Sequence, residues 1–395
     1  MGGGIMAVTI DGTTGVSAVQ DGVVQTADLA SGAVTAAKLN VGQIGGRRNL
    51  AINGAMQVAQ RGTSTSSVTT SGYYTVDRFG MALGTYGTWT VSQETDGPTG
   101  FKYSNKWLCT TANTSPTSTQ YGMVYQAFEA RDFRGMGYGS SDAKNLTISF
   151  WVKSNKTGSA SVGAFFWDDS NNYFHSKQYT INSADTWEHK IVTIAPDTTH
   201  SLRTPDEQQG FTVEWFLGGG SNYTGGSHNT WTTSQTNRNV SNIGIGTAVN
   251  DYLQLTGVQI EFGDTATPFE HRSYGEELAA CQRYYFAFID AGSGGEAWVT
   301  TATCYNTSNA YGGVRFPVSM RAIPTLKQYT GTDVWQLYNN TQADRFDSFT
   351  MFGATQSTKH SAMIYNNDVI AITAGQSGNF QGGNSACYLH FDAEL

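Results

Sequence analysis

The chain has 395 residues, of which only 14% are charged, and 31 acidic against 23 basic side chains give a net charge of −8. Its 20 Phe, 20 Tyr and 9 Trp are enough for several cores, so wholesale disorder is excluded, and the length allows two or three domains. There is no run of Lys or Arg, which disfavours nucleic acid or an anionic membrane as partner and leaves ring stacking and neutral hydrogen bonds as the means of holding one.

Met1-Gly-Gly-Gly-Ile-Met6 has neither the charged nor the apolar region of a signal peptide, and Met6 stands where a myristoylation signal needs Ser or Thr. No apolar run approaches the roughly 18 residues of a spanning helix. The expectation is synthesis in a reducing cytosol without export by a signal peptide or membrane insertion. Residues 11–46 form a low-complexity arm without aromatics, in which 21–30 and 31–40 align as two copies that keep Val24 with Val34 and Leu29 with Leu39. Each copy is too short to bury its apolar stripe alone, so the arm is expected to order only against copies of itself or a docking partner.

From Arg47 the chain turns to short segments rich in Thr, Val, Tyr, Phe and Trp, separated by Gly, Asn, Ser and Asp. This predicts an all-β fold with strands at 146–152, 159–167, 187–194, 210–217 and 252–262. Lys153-Ser-Asn-Lys-Thr-Gly158 between the first two is expected to make a hairpin turn. Ser273 followed by Glu276 reads as a capping box that starts one helix through Arg283. Beyond it, strands are expected at 284–289, 297–303, 313–316, 346–352, 362–365, 369–373 and 387–391. The stretches 291–295, 306–313, 330–341 and 375–385, richest in Gly, Asn and Ser, are expected to be loops. Pro317 and Pro324 bracket a segment that cannot be a central strand.

Four stretches resemble bacteriophage tail-fibre and receptor-binding proteins. They are the arm from Val23 to Leu39, Arg48-Asn-Leu-Ala-Ile-Asn-Gly54 continuing to Gly62 with Tyr74 to Phe79, Leu255 to Gly263 with Ala266 to Arg272 and Glu277 to Tyr285, and Val314 to Thr325 with the terminal Asp392-Ala-Glu-Leu395. The second stretch, with 187–194 and Gly257-Val-Gln-Ile-Glu261, also resembles jelly-roll carbohydrate-binding modules. Thr256-Gly257 departs from them, standing where those modules often place aspartates, so a structural calcium is not expected.

Some phage tail proteins are glycan depolymerases with paired carboxylates, for which Asp168/Asp169, Asp206/Glu207 and Glu276/Glu277 are the candidates. Adjacent carboxylates on a strand face opposite ways, and acids in a helix's first turn serve the helix dipole, so neither arrangement reads as catalytic. No nucleophile elbow, phosphate-binding loop or metal-ligand spacing occurs, and Cys109, Cys281, Cys304 and Cys387 read as four reduced thiols. No catalytic residue, cofactor or metal is therefore assigned. What remains is aromatic rings in Gly- and Asn-rich segments: Tyr223 and Trp231 centrally, then Tyr305, Tyr311, Trp335, Tyr338 and Phe380, with Asn309 and Asn379 beside them. Exposed rings flanked by amides suit sugars, which present apolar C–H faces and hydroxyl rims.

The expected organisation is an attachment and trimerisation arm (1–46), a jelly-roll β-sandwich (47–272), a connecting helix (273–285) and a receptor-binding β-sandwich tip (286–395). The resemblance implies a virion tail-fibre protein acting as a homotrimer. Val24, Leu29, Val34 and Leu39 would attach it to a tail or adaptor protein, and the tip would hold a bacterial surface polysaccharide or lipopolysaccharide without cleaving it. A depolymerase or a purely structural tail component are the alternatives.

Overall fold

The computed structural model describes residues 47–204, 207–290, 296–339, 342–367 and 372–395. The arm, with Val24, Leu29, Val34 and Leu39, lies outside the described residues, as does most of the strand expected at 369–373.

Twelve strands precede the helix in the described residues. The first six are β1 (Ser64–Val68), β2 (Gly72–Tyr73), β3 (Gly80–Gly84), β4 (Thr88–Glu94), β5 (Ser104–Thr111) and β6 (Tyr121–Glu129). Then come β7 (Leu146–Ser154), β8 (Gly158–Trp167), β9 (Asn172–Ile181), β10 (Glu188–Ile194), β11 (Gln209–Gly219) and β12 (Tyr252–Phe262). They build two six-stranded antiparallel sheets, β1-β4-β5-β12-β7-β10 and β2-β3-β6-β11-β8-β9. Strand alternation explains the sandwich: Leu146, Ile148, Phe150 and Val152 leave β7 on one side and meet Val162, Ala164 and Phe166 of β8 and Val213 and Trp215 of β11, all at most 1% exposed. Each of the larger side chains contributes about 1.5–3 kcal/mol of burial.

The hairpin expected at residues 153–158 is not one. β7 bonds to β10 and β12, and β8 to β9 and β11, so the turn crosses from one sheet to the other. Its polar groups are hooked to a third strand. Ser154 Oγ donates to the Tyr252 carbonyl at 2.6 Å, and Asn155 Oδ1 accepts from the Tyr252 amide at 3.0 Å. Thr256-Gly257 is a bulge, where β12 slips register against β7 and Gly257 takes φ +59°. A Cβ there would fall 2.8 Å from the Phe101 ring and 2.9 Å from Trp151.

The capping box forms as the sequence indicates. Ser273 Oγ accepts from the Glu276 amide, Glu276 Oε2 accepts from the Ser273 amide, and α1 (Tyr274–Gln282) follows. Beyond α1 lie β13 (Tyr285–Ile289), β14 (Trp298–Cys304), β15 (Ala310–Arg315), β16 (Thr325–Gln328) and β17 (Trp335–Asn339). They are followed by β18 (Gln342–Phe346), β19 (Thr350–Met351), β20 (Ser361–Asn366), β21 (Ser377–Gly382) and β22 (Leu389–Asp392). A three-stranded sheet, β13-β22-β16, and a seven-stranded one, β18-β17-β21-β14-β15-β20-β19, enclose a second core that includes Trp335, Leu337, Phe380, Leu389 and Phe391. All four cysteines are buried and free.

Two stretches expected to be loops therefore contain strands: β17 lies within 330–341 and β21 within 375–385, while β15 begins inside 306–313. Glycine lowers strand propensity but here is what the packing needs, since a Cβ on Gly378 would fall 2.8 Å from Leu337 Cδ1. The strand expected at 346–352 is broken, because Phe349 turns its amide to Gln328 Oε1 at 2.9 Å and its ring into the core.

A buried polar joint links the two cores. Asn49 Oδ1 accepts from the Ala51 and Ile260 amides, Asn53 (φ +62°) donates to the Val58 and Asp77 carbonyls, and the Asn53 amide donates to Glu277 Oε1 at 2.6 Å. Glu277 also pairs with Arg272 at 3.1 Å. Near the C-terminus, Glu394 accepts from Arg61 at 3.1 Å and from Arg78, Arg61 pairs with Asp77 at 3.1 Å, and Arg321 donates to the carbonyls of Ala393 and Glu394. Three of the four motif stretches quoted above meet at this joint, so their short polar signatures serve as structural fastenings.

Candidate functional site on the outer face of the distal sheet

The seven-stranded sheet sorts the ring and amide candidates by the two-residue period of its strands. In β17, Trp335 and Leu337 point into the core and Tyr338 outward; in β21, Phe380 points in and Asn379 outward. Trp335 and Phe380, expected as exposed loop rings, are instead fully buried: the Trp335 ring lies 5.0 Å from Phe349, and Phe380 packs against Phe349 at 4.9 Å and Phe346 at 5.7 Å. Both are withdrawn from the site, because these segments are strands and parity sends their rings inward.

The outward set remains together. Tyr338 stands opposite Asn379, which stands opposite Thr301. Tyr311 stands opposite Thr303 on one side and Tyr365 on the other. Tyr305, 68% exposed, places its ring 5.2 Å from Tyr311, which is 5.8 Å from Tyr365. Asn309 is half-buried and shapes the turn that presents Tyr305: its carbonyl accepts from the Tyr305 amide at 2.8 Å and its amide donates to Asn306 Oδ1 at 2.7 Å. Tyr338 and Tyr311 sit three strand spacings apart, about 14 Å laterally. The face between them offers uncharged Thr301, Thr303, Asn379 and Gln381, while Arg345 and Arg315 share its outward parity further along β18 and β15. Such a face can stack flat apolar surfaces and exchange hydrogen bonds with hydroxyls along its breadth.

Tyr223 and Trp231 lie on the sandwich, away from this face. Trp231 packs on Phe166 at 5.0 Å and Tyr138 at 5.7 Å and donates Nε1 to the Ala195 carbonyl, which makes it a structural ring. Tyr223 lies 4.6 Å from Tyr121 and caps a row that the sequence reading missed, Tyr121, Tyr125 and Tyr73, across the outer face of the second sheet. Tyr125 is paired with Gly80 and Tyr121 with Gly84, so each ring lies down over a residue with no side chain. The signal was legible as Gly80-x-Ala82-x-Gly84 against Tyr121-x-Met123-x-Tyr125, but only once the two strands are known to pair.

The carboxylate pairs are occupied with local structure. Asp168 Oδ1 accepts the amides of Ser170 and Asn171, Asp169 accepts from Thr204, Glu276 closes the capping box, and Glu277 fastens the joint. Glu207 is exposed beside Arg131, while Asp206 is outside the described residues. Among the described residues no three His, Cys, Asp or Glu side chains converge as a metal ion would need. His175 is buried under Trp231, and burial lowers its pKa to about 3.

No family model matches the chain, and no curated protein sequence does. Among solved structures it is similar to a putative sugar binding protein from Bacteroides thetaiotaomicron, at 13% identity over 54% of this chain and 100% of that one, with a TM-score of 0.31. It is also similar to the enzymatically active domain of tailspike protein 4 of bacteriophage CBA120, at 12% identity and a TM-score of 0.29, over 54% of this chain but only 21% of the tailspike chain. A third is the family 11 carbohydrate-binding module of the cellulosomal cellulase Lic26A-Cel5E of Clostridium thermocellum, at 10% identity over 53% of this chain and 99% of that one, with a TM-score of 0.27.

Proposed function

We propose that this chain is a receptor-binding component of a bacteriophage tail fibre, which attaches the virion to its host by gripping a surface glycan without cutting it. The observation that carries the reading is the outer face of the distal sheet, where Tyr338 stands beside Asn379 and, two strands beyond, Tyr311 and Tyr305 stand together in a setting of mostly neutral hydrogen-bonding groups. Non-cleaving attachment is supported by the local duties of the carboxylates of Asp168, Asp169, Glu276 and Glu277. The arm would join three chains to the tail. A single site of this kind is weak, and three linked sites raise avidity roughly 100-fold or more.

The test is adsorption of the purified chain to envelope fractions of candidate hosts, with assay for released reducing ends. Saturable binding that falls in Tyr305→Ala/Tyr338→Ala, with no reducing ends released, is the expected result. Release of reducing ends would make it a depolymerase, and absence of binding to every fraction would make it a structural tail part. A mass three times the 42.6 kDa of the chain is expected in solution.

A further inference from the structure

At the joint, three segments remote in sequence enclose a cleft of about 930 Å³. One wall is a face of α1, where Tyr274, Leu278 and Gln282 recur every four residues and so line up along the helix. The floor is the three-stranded sheet, in which Ala287, His390 and Lys327 stand side by side across β13, β22 and β16. The far wall is residues 59–62 with Tyr73 and Tyr74.

The geometry points to this cleft as a second carbohydrate subsite, taking a segment of an uncharged oligosaccharide. The inference rests on the glycan-binding reading above and adds a place and a ligand class to it. Size fits, since sites for small organic ligands run from roughly 300 to 1,000 Å³. Rings suitable for stacking are present and open: Tyr274 is 56% exposed although it sits on the helix next to the sandwich, and nothing in its own helix requires an aromatic there. Tyr388, half-buried, stands 5.0 Å from the His390 ring, whereas Tyr285 is buried with the Arg61 guanidinium 3.4 Å over its ring and serves only as floor.

Hydrogen-bonding capacity is also present. Gln282, Lys327 and the hydroxyls of Tyr274 and Tyr388 line the cleft, and His390 in its floor is 9% exposed, with Nδ1 bonded to Tyr285 Oη at 2.5 Å and Nε2 3.6 Å from Asp290 Oδ1. Charge selects the class. Apart from Arg61, the described lining carries Lys327 against Asp290 and Asp392, a slight excess of negative charge, and burial holds His390 below its ordinary pKa, hence neutral at pH 7. Arg61 is already committed to Asp77 and Glu394. A polyanion would gain nothing here that an uncharged chain of hydroxyls would not. Tyr73 links the cleft to the rest of the sandwich: it lines the cleft and its ring lies 5.7 Å from Tyr125, the next member of the tyrosine row.

The experiment is calorimetric titration of the full chain with uncharged hexaoses of glucose, galactose, mannose and N-acetylglucosamine, and with hexagalacturonate as the charged control. Two sites per chain are expected for at least one neutral probe. Tyr274→Ala should weaken one of them about tenfold, Tyr274→Phe should restore it, and Ala287→Trp, which fills the cleft, should abolish it; Tyr305→Ala/Tyr338→Ala should affect only the other. One site per chain, lost in Tyr305→Ala/Tyr338→Ala and untouched by Ala287→Trp, overturns the cleft subsite and leaves the attachment reading intact. A single site lost in Ala287→Trp and untouched by the Tyr305/Tyr338 pair overturns the assignment of the outer face instead. Hexagalacturonate binding the cleft as well as the neutral sugars overturns the ligand class. No heat with any probe overturns both readings. Unchanged thermal midpoints in Tyr274→Ala and Ala287→Trp exclude misfolding as the cause.

Discussion

The joint and the outer face of the distal sheet use opposite chemistry. The joint gathers Arg61, Arg78, Arg272, Asp77, Glu277 and Glu394 into buried pairs, whereas the face presents mostly Tyr, Thr, Asn and Gln, with Arg315 and Arg345 exposed on the same side and paired with no acid across the ladders. In a chain with so few charged residues, this division matters. Ion pairs out of water are costly to form and very costly to break, so they fix the way two bodies meet. A face of rings and amides loses little on desolvation and suits a neutral ligand. The contrast predicts that charge substitutions at the joint damage stability and that ring substitutions on the face damage binding.

The largest effect should come from halving a joint pair. Glu394→Ala strips both Arg61 and Arg78 of a partner, and Arg78 is fully buried over the Tyr284 ring, so a loss of about 3–5 kcal/mol in denaturant unfolding is expected. A loss below 1 kcal/mol would show that the joint does not hold the two bodies together. Trp335→Ala should cost nearly as much, about 3–5 kcal/mol, by opening a cavity against Phe349. At protein concentrations where the variant stays folded its glycan binding should be unchanged. A selective loss of binding would return Trp335 to the site.

How far the sequence reached follows from the same division. β7, β8, β10, β11 and β12 were legible because β-branched and aromatic residues crowd each of them between clusters of Gly, Asn, Ser and Asp, and Ser273 with Glu276 announced α1 by local chemistry alone. β17 and β21 were not, because Asn, Gln and Gly in 335–339 and 377–382 read as loop until β14 lies alongside. Misreading them as loops also misplaced Trp335 and Phe380, since a loop carries no inward parity. The cleft was invisible for another reason: its walls come from residues 59–74, 274–282 and 285–392, and no local pattern brings them together.

A smaller, pH-dependent effect tests the sandwich end. His175 is buried with no hydrogen-bond partner for either ring nitrogen, and burial, helped by Lys177 and His228, lowers its pKa to about 3 from the ordinary 6.5. The folded state therefore keeps it neutral while the unfolded chain takes a proton. Its contribution is fully present above pH 6.5 and is lost as pH falls toward 3, by at most about 1.4 kcal/mol per pH unit. His175→Phe, which keeps a ring under Trp231, should flatten the plot of unfolding free energy against pH between 6 and 4 by up to one proton. An unchanged slope would mean that the group is already charged in the folded protein.

The smallest effect on folding should be the most informative about function. Tyr338 is 41% exposed on the outer face of β17, with only its backbone engaged in the ladders to β18 and β21, so Tyr338→Ala should change stability by less than about 0.5 kcal/mol. Its ring nevertheless stands beside Asn379 at one end of this face. Truncation should therefore weaken glycan adsorption about tenfold, the size of one lost ring contact. Asn379→Ala, one strand away and also outward, should weaken the same adsorption by removing the amide, and the double variant should fall short of the sum if ring and amide grip one sugar together. Simple additivity would place them at separate contacts. Full adsorption in the double variant, with folding intact, would move recognition off this face altogether.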